Sequence, residues 1–402
     1  MLHLLLAFPS LTAPTPPMDP GAALQGCLAR AGDLNGDGVP DLWVAGRPGD
    51  NLNGRWLGHV WALSGSDGSV LVHIESEEKA GVLFARSIAC AGDVDSDGVP
   101  DVVIGSGKRD GGGGSVEVRS GKDGQLILRV ESPRDDDLFG FAVAGGRDLD
   151  KDGVPDIVVT APVENPYPSD PKENDQARTY LISGRTGGFI AAGLRADGRR
   201  ADYFIGGAGV ALLPDLDKDG YPEVAAGGTV YSSRTGSLLF AMTPGGWTVG
   251  VIGDVNGDKV PDLFLSEVNR EVTVRSGVDG RVLKKHNYAI GYLHGEGLSV
   301  SRLGDVDGDG VSDYIIGANE SPLIDAPPDR GFAAVVSGKT GKGLHGITAA
   351  DHDGIDVSGI GDIDRDGKAD FAIWHRKAQR VEVYSSATWK PIWRVKIASL
   401  AE

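Results

Sequence analysis

Short apolar runs alternate with turns rich in glycine, serine and aspartate along most of the chain. Runs such as DVVIGS at 101–106 and DYIIGA at 313–318 have the length and composition of buried strands. No amphipathic helix pattern with capping residues occurs in residues 21–402. The hydrophobic pattern therefore predicts an all-β protein.

One nine-residue segment punctuates this pattern seven times. Its common form is Asp-x-Asp-x-Asp-Gly-x-Pro-Asp, with Asn at the third position in two copies. The copies lie 39 to 67 residues apart and begin at Asp33, Asp93, Asp148, Asp215, Asp254, Asp305 and Asp362. Self-similarity at such a spacing is typical of propellers and other repeat architectures.

A second element follows each copy of the nonapeptide. It is an apolar run, a Ser-Gly-x-Asp/Thr-Gly turn and another apolar run, a pattern that predicts a β-hairpin. These elements begin at Ala62, Val118, Leu181, Val230, Val274 and Val335, with a degenerate copy at Val383. Each repeat therefore contains four strands, A to D, in which the nonapeptide is the A–B turn and the Ser-Gly element is the C–D turn.

Seven such units predict a seven-bladed β-propeller of four-stranded antiparallel blades with calcium-binding A–B loops, since radial stacking buries both faces of every sheet. A linear array of small calcium modules is the alternative. Residues 1–20 are expected to be a weak signal peptide or linker and residues 21–402 the propeller, with all 28 strands used in chain order. The predicted blades are approximately 21–78, 79–134, 135–198, 199–243, 244–289, 290–347 and 348–402.

The nonapeptide has the chemistry of a calcium site. Its first, third, fifth and ninth side chains supply oxygens, and the seventh residue offers its carbonyl. Crowded carboxylates repel unless a cation lies among them, and oxygen ligands in a flexible loop favour Ca²⁺ over Zn²⁺ or Mg²⁺. The predicted ligands are Asp33, Asn35, Asp37, Val39, Asp41, Asp93, Asp95, Asp97, Val99, Asp101, Asp148, Asp150, Asp152, Val154, Asp156, Asp215, Asp217, Asp219, Tyr221, Glu223, Asp254, Asn256, Asp258, Val260, Asp262, Asp305, Asp307, Asp309, Val311, Asp313, Asp362, Asp364, Asp366, Lys368 and Asp370.

An EF-hand shares the opening of this pattern but needs a glutamate at position twelve and flanking helices. Position twelve is apolar in every copy, for example Val44 and Ile104, so the EF-hand is excluded. A metal-free Asp-rich turn remains the alternative. We expect up to seven Ca²⁺ ions, with the Asp254 loop the weakest because Lys259 replaces its glycine.

Composition sets limits on partners and on membrane insertion. The net charge of −18 comes from 57 acidic and 39 basic residues and disfavours a nucleic-acid partner. Of the acids, 26 occupy predicted ligand positions, and without them the net charge would be +8. No apolar run approaches the roughly 18 residues of a membrane span. We expect a monomer without a membrane-spanning segment.

The repeats resemble FG-GAP repeats, the units of the integrin α-subunit propeller. The resemblance rests on LFGFAVAGGRDLDKDGVPD from Leu138, in which Phe139-Gly140 precedes the nonapeptide, and on LFARSIACAGDVDSDGVPD from Leu83. The remaining copies keep the nonapeptide and lose the Phe-Gly pair. The resemblance implies a seven-bladed propeller with Ca²⁺ on its A–B loops and suggests recognition outside the cell.

We expect a secreted or cell-surface module that recognises or adheres to a protein or glycan. Calcium chemistry and a short apolar patch at Leu4–Phe8 favour export. No Gly-x-Ser-x-Gly elbow or HExxH motif is present, which argues against an enzyme. His352, between two aspartates, is a weak site candidate. A polysaccharide lyase, a glycosidase or a lectin on a calcium propeller is the alternative.

The B–C and D–A loops vary in length and should share the end of the propeller opposite the nonapeptides. Variable loops on a rigid scaffold are where ligands usually bind. Aromatic rings beside hydrogen-bonding groups suit sugars or a protein hot spot, although such rings also pack loops onto a scaffold. The candidates for this ligand face are Trp56, Tyr167, Tyr203, Tyr288, Tyr292 and His294.

Overall fold

A computed structural model describes residues 28–46, 58–76, 82–108, 113–134, 138–161, 178–195, 209–242, 246–267, 272–286, 298–318, 330–351, 355–375 and 378–397. Within these ranges there are 28 β-strands and no α-helix. The described part of the chain accordingly contains no helix long and apolar enough to cross a membrane.

The strands form seven sheets of four consecutive strands each, which we number as blades one to seven. The strands of blades one to four are β1 (Leu28–Gly32), β2 (Asp41–Gly46), β3 (His59–Leu63), β4 (Val70–Glu75), β5 (Val82–Gly92), β6 (Asp101–Lys108), β7 (Ser115–Arg119), β8 (Leu126–Glu131), β9 (Ala142–Arg147), β10 (Asp156–Ala161), β11 (Arg178–Ile182), β12 (Phe189–Arg195), β13 (Val210–Leu213), β14 (Glu223–Ala226), β15 (Thr229–Ser232) and β16 (Leu238–Ala241).

Blades five to seven continue the same order. Their strands are β17 (Gly246–Gly253), β18 (Asp262–Glu267), β19 (Val272–Arg275), β20 (Val282–His286), β21 (Leu298–Gly304), β22 (Asp313–Ala318), β23 (Arg330–Val336), β24 (Gly343–Asp351), β25 (Ile355–Gly361), β26 (Asp370–His375), β27 (Arg380–Tyr384) and β28 (Pro391–Lys396). Strand β24 pairs with β23 as far as Asp351, so blade six extends past the boundary predicted near residue 347.

The sheets close into a ring. All neighbouring strands within a sheet are antiparallel, and the B–C pairing of blade one runs without a shift from Leu42 opposite Leu63 to Gly46 opposite His59. The first strand of each blade contacts the first strand of the next blade, and β25 contacts β1. The predicted seven-bladed β-propeller is therefore confirmed, with each described blade built from its own consecutive strands.

The hydrophobic core lies between the blades. Apolar clusters join neighbouring sheets all round the ring, because inner strands such as β2, β3 and β10 are buried on both faces. At the seam between blades seven and one, Trp61 and Leu63 pack in one cluster with Trp374 and Val383, and all four side chains are fully buried. The seam that closes the ring is as apolar as the other interfaces.

Candidate metal centres

The carboxylate of the first aspartate in each nonapeptide loop accepts hydrogen bonds from several N–H groups of the following backbone. In blade one, Asp33 Oδ1 accepts hydrogen bonds from the N–H groups of Gly36 (2.7 Å) and Asp37 (3.1 Å), and its Oδ2 accepts one from Gly38 (2.9 Å). The bond from the sixth residue to the first aspartate recurs in all seven loops at 2.8 to 3.0 Å. Each loop is therefore preformed by its own side chains.

The third and fifth side chains continue the coil. In blade two, Asp95 Oδ1 accepts from the N–H of Asp97 (3.1 Å), and Asp97 Oδ1 accepts from that of Val99 (2.9 Å). Both bonds recur in every loop. Such Asx turns favour tight loops and occupy one oxygen of each side chain with a backbone donor.

Two backbone positions in every loop are left-handed. The fourth and sixth residues have φ between 61° and 92° in all seven loops. The sixth position was expected to need glycine, and Lys259 there adopts φ 70°. The sequence pattern does not reveal the left-handed fourth position, because glycine fills it in only three loops. The other four loops have Ser96, Lys151, Lys218 and Arg365 there.

The ninth carboxylate ties the A–B loop to the C–D turn. In blade one, Asp41 Oδ2 accepts from the N–H of Leu34 (2.7 Å), and its Oδ1 accepts from that of Gly65 (2.9 Å) in the Ser-Gly turn. The first of these bonds recurs in all seven blades and the second in six of them. Both turns consequently lie at one end of each blade, as the strand order predicted.

Burial shifts the protonation of these ninth carboxylates. All seven are fully buried, and burial raises the pKa of Asp41, Asp101, Asp156, Asp262 and Asp370 to about 6 and that of Glu223 to about 7, although backbone N–H donors oppose the shift. The pKa of Asp313 rises for the same reason. A buried carboxylate beside other acids gains from a nearby positive charge.

Oxygens of the loop carboxylates converge. The first, third and ninth residues of loops two, three, six and seven each place one carboxylate oxygen within 4.8 Å of the others. In blade four, Asp215, Asp217, Asp219 and Glu223 all converge. Asn35 and Asn256 occupy the third position in blades one and five, where they offer an amide oxygen instead.

Glu223 gives independent support for a ligand in loop four. Its Oε2 accepts from the N–H of Leu216 at 2.7 Å, and its Oε1 is buried with no hydrogen-bond partner among the described residues. Buried polar atoms are nearly always paired, so an orphaned carboxylate oxygen inside an acidic cluster needs a cation or water. All the converging donors are oxygens, and this set fits Ca²⁺.

Basic side chains reach the fifth position of several loops. The Lys122 ammonium lies 3.5 Å from Asp97 Oδ2, and Arg185 Nε donates to Asp152 Oδ2 at 3.0 Å. Lys339 Nζ donates to the Asp309 carbonyl at 3.0 Å. All three follow the Ser-Gly pair of the C–D turn, a role that their sequence position alone did not reveal.

The Phe-Gly pair of blade three fastens it to blade two. Phe139 is fully buried and meets Tyr180 edge to face, with ring centroids 5.2 Å apart. Gly140 has φ 85°, and a Cβ there would lie 2.7 Å from the Ser115 carbonyl oxygen, so only glycine fits. In blade two, Ala85 takes the glycine position and adopts φ 54°.

The predicted ligand face falls outside the described residues. Trp56, Tyr167, Tyr203, Tyr288, Tyr292 and His294 all lie in undescribed ranges, as does His352. The strand ends that carry these loops lie at the end of each blade opposite the nonapeptides.

The ring and its loops define a seven-bladed β-propeller that contains an FG-GAP repeat. The FG-GAP repeat model matches residues 139–182, the Phe139-Gly140 copy in blade three. The predicted resemblance to integrin α-subunits is also confirmed: integrin α-V of Gallus gallus is 29% identical over 221 residues. That match covers 50% of this chain and 20% of the integrin subunit, so the chain spans about a fifth of that relative's length.

One solved structure supports the fold. Sqt1 of Saccharomyces cerevisiae aligns over 93% of this chain and 85% of its own, with 11% identity and a TM-score of 0.50. The exotype rhamnogalacturonan lyase YesX aligns over 93% of this chain and 65% of its own, with 15% identity. Its TM-score is 0.49.

Proposed function

We propose that this chain is an extracellular calcium-binding β-propeller that recognises a protein or glycan ligand, and that it is not an enzyme. The observation that carries the calcium assignment is the convergence of carboxylate oxygens within 4.8 Å in five loops, each closed by a buried ninth carboxylate. Similarity to integrin α-subunits supports a ligand-binding role.

Calcium has a structural role in this proposal. Each ion would be held by the first, third, fifth and ninth side chains and the seventh carbonyl of one loop. In six blades the ninth carboxylate also holds the C–D turn, so the ion would join the A–B and C–D connections of the blade through one residue. A cation bound only by the native state stabilises it by mass action. Calcium would thereby stiffen one end of every blade.

The opposite end of the ring is the proposed ligand face. Its long B–C and D–A loops carry Trp56, Tyr167, Tyr203, Tyr288, Tyr292 and His294. We propose that the propeller occupies residues 21–402, is monomeric and works outside the cell, where calcium is plentiful. Residues 1–20 would serve as its signal peptide or linker.

Thermal unfolding with and without calcium tests the metal assignment. We expect the Tm to fall clearly when a chelator removes Ca²⁺ and to recover with added Ca²⁺, while Mg²⁺ restores little of it because Mg²⁺ demands a tighter octahedron. A melting curve that is identical in excess chelator and in calcium would refute the assignment.

A glycan array together with a protein pull-down tests the ligand face. Alanine at Trp56, Tyr167, Tyr288 and Tyr292 should abolish any binding that is found. The matched control changes Lys122 and Arg234, which are on C–D turns at the other end of the blades. Binding lost only in the control would place the ligand on the calcium-loop face, and cleavage of an anionic polysaccharide would identify an enzyme.

A further inference from the structure

Two histidines of blade one lie side by side on its outer hairpin, far from the acidic loops. His59 begins β3, and His73 lies near the end of β4. In the β3–β4 register His59 faces Glu75 and Trp61 faces His73. Directly opposed residues of an antiparallel pair project from the same face, and so do residues two apart on one strand. All four side chains therefore share one face of the sheet.

The imidazole rings of the two histidines point at each other. His59 Nδ1 is 3.0 Å from His73 Nε2, the ring planes differ by 12°, and the ring centroids are 5.2 Å apart. This combination places the rings edge to edge in nearly one plane. One ring donates an N–H and the other accepts it, so a single proton lies between the two facing nitrogens.

The surroundings fix one histidine and expose the other. His59 is 8% exposed, whereas His73 and Glu75 are exposed to solvent. Trp61 is fully buried, and its ring lies 5.3 Å from that of His59 and 5.2 Å from that of His73. Burial lowers the pKa of His59, and the Glu75 carboxylate, which faces His59 in the strand register, opposes that shift. The pair is therefore buried on the His59 side and open to solvent on the His73 side.

Two imidazole nitrogens at this distance are close to the spacing of metal ligands. With Zn–N bonds of about 2.0 to 2.1 Å at a tetrahedral angle, the two nitrogens would be about 3.3 Å apart. The present nitrogens would move apart by about 0.3 Å, and each ring would turn by about 35° so that its lone pair points at the ion rather than at the other ring. The shared proton moves to the far nitrogen of the donor ring, which frees both lone pairs without net proton release.

We propose that His59 Nδ1 and His73 Nε2 bind a divalent transition-metal ion, with the exposed Glu75 side chain turning in as third ligand and water completing the shell. Imidazole nitrogen suits Zn²⁺, Cu²⁺ and Ni²⁺, whereas Ca²⁺ takes oxygen ligands. This site would be independent of the nonapeptide loops. It lies at the end of blade one that carries the B–C loop, beside the proposed ligand face.

Zinc titration of the calcium-saturated, tag-free protein by calorimetry tests the site. We expect one Zn²⁺ per chain to bind here, with affinity lowered at least tenfold by His73→Gln and several-fold by Glu75→Gln. His345→Gln is the matched control, because His345 stacks on Trp389 rather than on a second imidazole, and it should bind zinc like the wild type. Unchanged zinc affinity in His73→Gln would overturn the proposal.

Two further measurements guard against variants that fail to fold. His73 is exposed, so His73→Gln should keep the wild-type melting curve in calcium, whereas His59→Gln changes a buried group. Zinc should also slow chemical modification of His73 by diethyl pyrocarbonate in the wild-type protein. Cu²⁺ should quench the emission of Trp61, and Trp61→Phe should lose that part of the quenching. Modification of His73 at the same rate with and without zinc would contradict the proposal.

Discussion

The indole Nε1 of Trp393, on the last strand of blade seven, donates a 2.7 Å hydrogen bond to the carbonyl of Gly65 in the C–D turn of blade one. The equivalent residue of blade five, Lys284, donates to the carbonyl of Gly338 in blade six. The outer strand of one blade thus reaches the Ser-Gly turn of the next. At the seam this bond joins residues 328 positions apart in sequence.

Replacing Trp393 by Phe should weaken the closure of the ring. The phenylalanine side chain keeps most of the packing of Trp393 but has no donor for the Gly65 carbonyl. We therefore expect the free energy of unfolding to fall by about 1 kcal/mol. Denaturant unfolding in saturating Ca²⁺ measures it. Arg365→Ala is a useful comparison, because Arg365 donates to the Asp37 carbonyl across the same seam at 3.0 Å but is exposed. An equal loss of unfolding free energy in both variants would show that the half-buried Trp393 bond contributes no more to stability than the exposed Arg365 bond.

The third and ninth positions of a loop should differ in what they stabilise. Asp101 is buried and accepts hydrogen bonds from the N–H groups of Val94 and Gly121. Asp101→Ala leaves both donors without a partner, so it should lower the free energy of unfolding by about 2 to 5 kcal/mol even in chelator. Asp95→Ala removes an exposed ligand and should lower the Tm mainly in the presence of calcium. Melting curves of both variants with and without chelator separate these effects. Loss of the same size in chelator for Asp95→Ala would contradict the distinction.

Replacing Lys259 in loop five should raise both the stability of the protein and the calcium affinity of this loop. Lys259 holds φ 70°, a conformation that costs a non-glycine residue roughly 1 to 2 kcal/mol. Lys259→Gly should therefore raise stability by about 1 kcal/mol in chelator and add further stability in calcium, since an ammonium leaves the loop. Gly98→Lys in loop two is the converse control. It should lower the stability in chelator and also the further stability gained in calcium. No gain from Lys259→Gly in either condition would count against loop five as the weakest.

Acid should weaken the protein through a histidine at the interface of blades five and six. Burial, together with the nearby Lys284 ammonium, lowers the pKa of His286 to about 4, and its Nε2 lies 2.6 Å from the Tyr314 hydroxyl. Between pH 6.5 and 4 the unfolded chain binds a proton that the folded chain does not, so unfolding free energy falls as pH falls.

His286→Gln removes this titration while keeping a polar side chain. Between pH 7.5 and pH 5 the wild type should lose about 2 kcal/mol more unfolding free energy than the variant. Urea unfolding of both proteins in saturating Ca²⁺ measures the difference. Parallel pH profiles would show that His286 already carries a proton in the folded state at pH 5.

The strand order and the loops could be predicted from sequence because both repeat. Seven copies of the nonapeptide give the number of blades, and the following Ser-Gly element gives the second hairpin of each. What spacing cannot show is which atoms meet. Asp41 bonds Gly65, 24 residues away, and this contact depends on the two turns sharing one end of the sheet. The nonapeptide and the Ser-Gly element occur together in every repeat, and this is the one sequence signal of their contact.

Features that occur only once in the chain could not be predicted from the sequence for a different reason. His59 and His73 are 14 residues apart in a chain with eight histidines, and only the β3–β4 register brings their rings together. Ala85 is another case, since alanine gives no sign of a left-handed conformation until the copy with Gly140 is aligned with it. In both cases the determining information is in the pairing of the strands.

Each sheet of the ring is completed by four consecutive strands, and this has an evolutionary consequence. A gene duplication with its ends between a D strand and the next A strand copies one intact folding unit, including its loop, its buried carboxylate and its Ser-Gly turn. No sheet is divided by such an event, as it would be in rings whose last sheet borrows a strand from the N-terminus. Propellers of this kind can therefore lengthen by whole blades, and each new blade can diverge on its own, as the loss of the Phe-Gly pair in most copies illustrates.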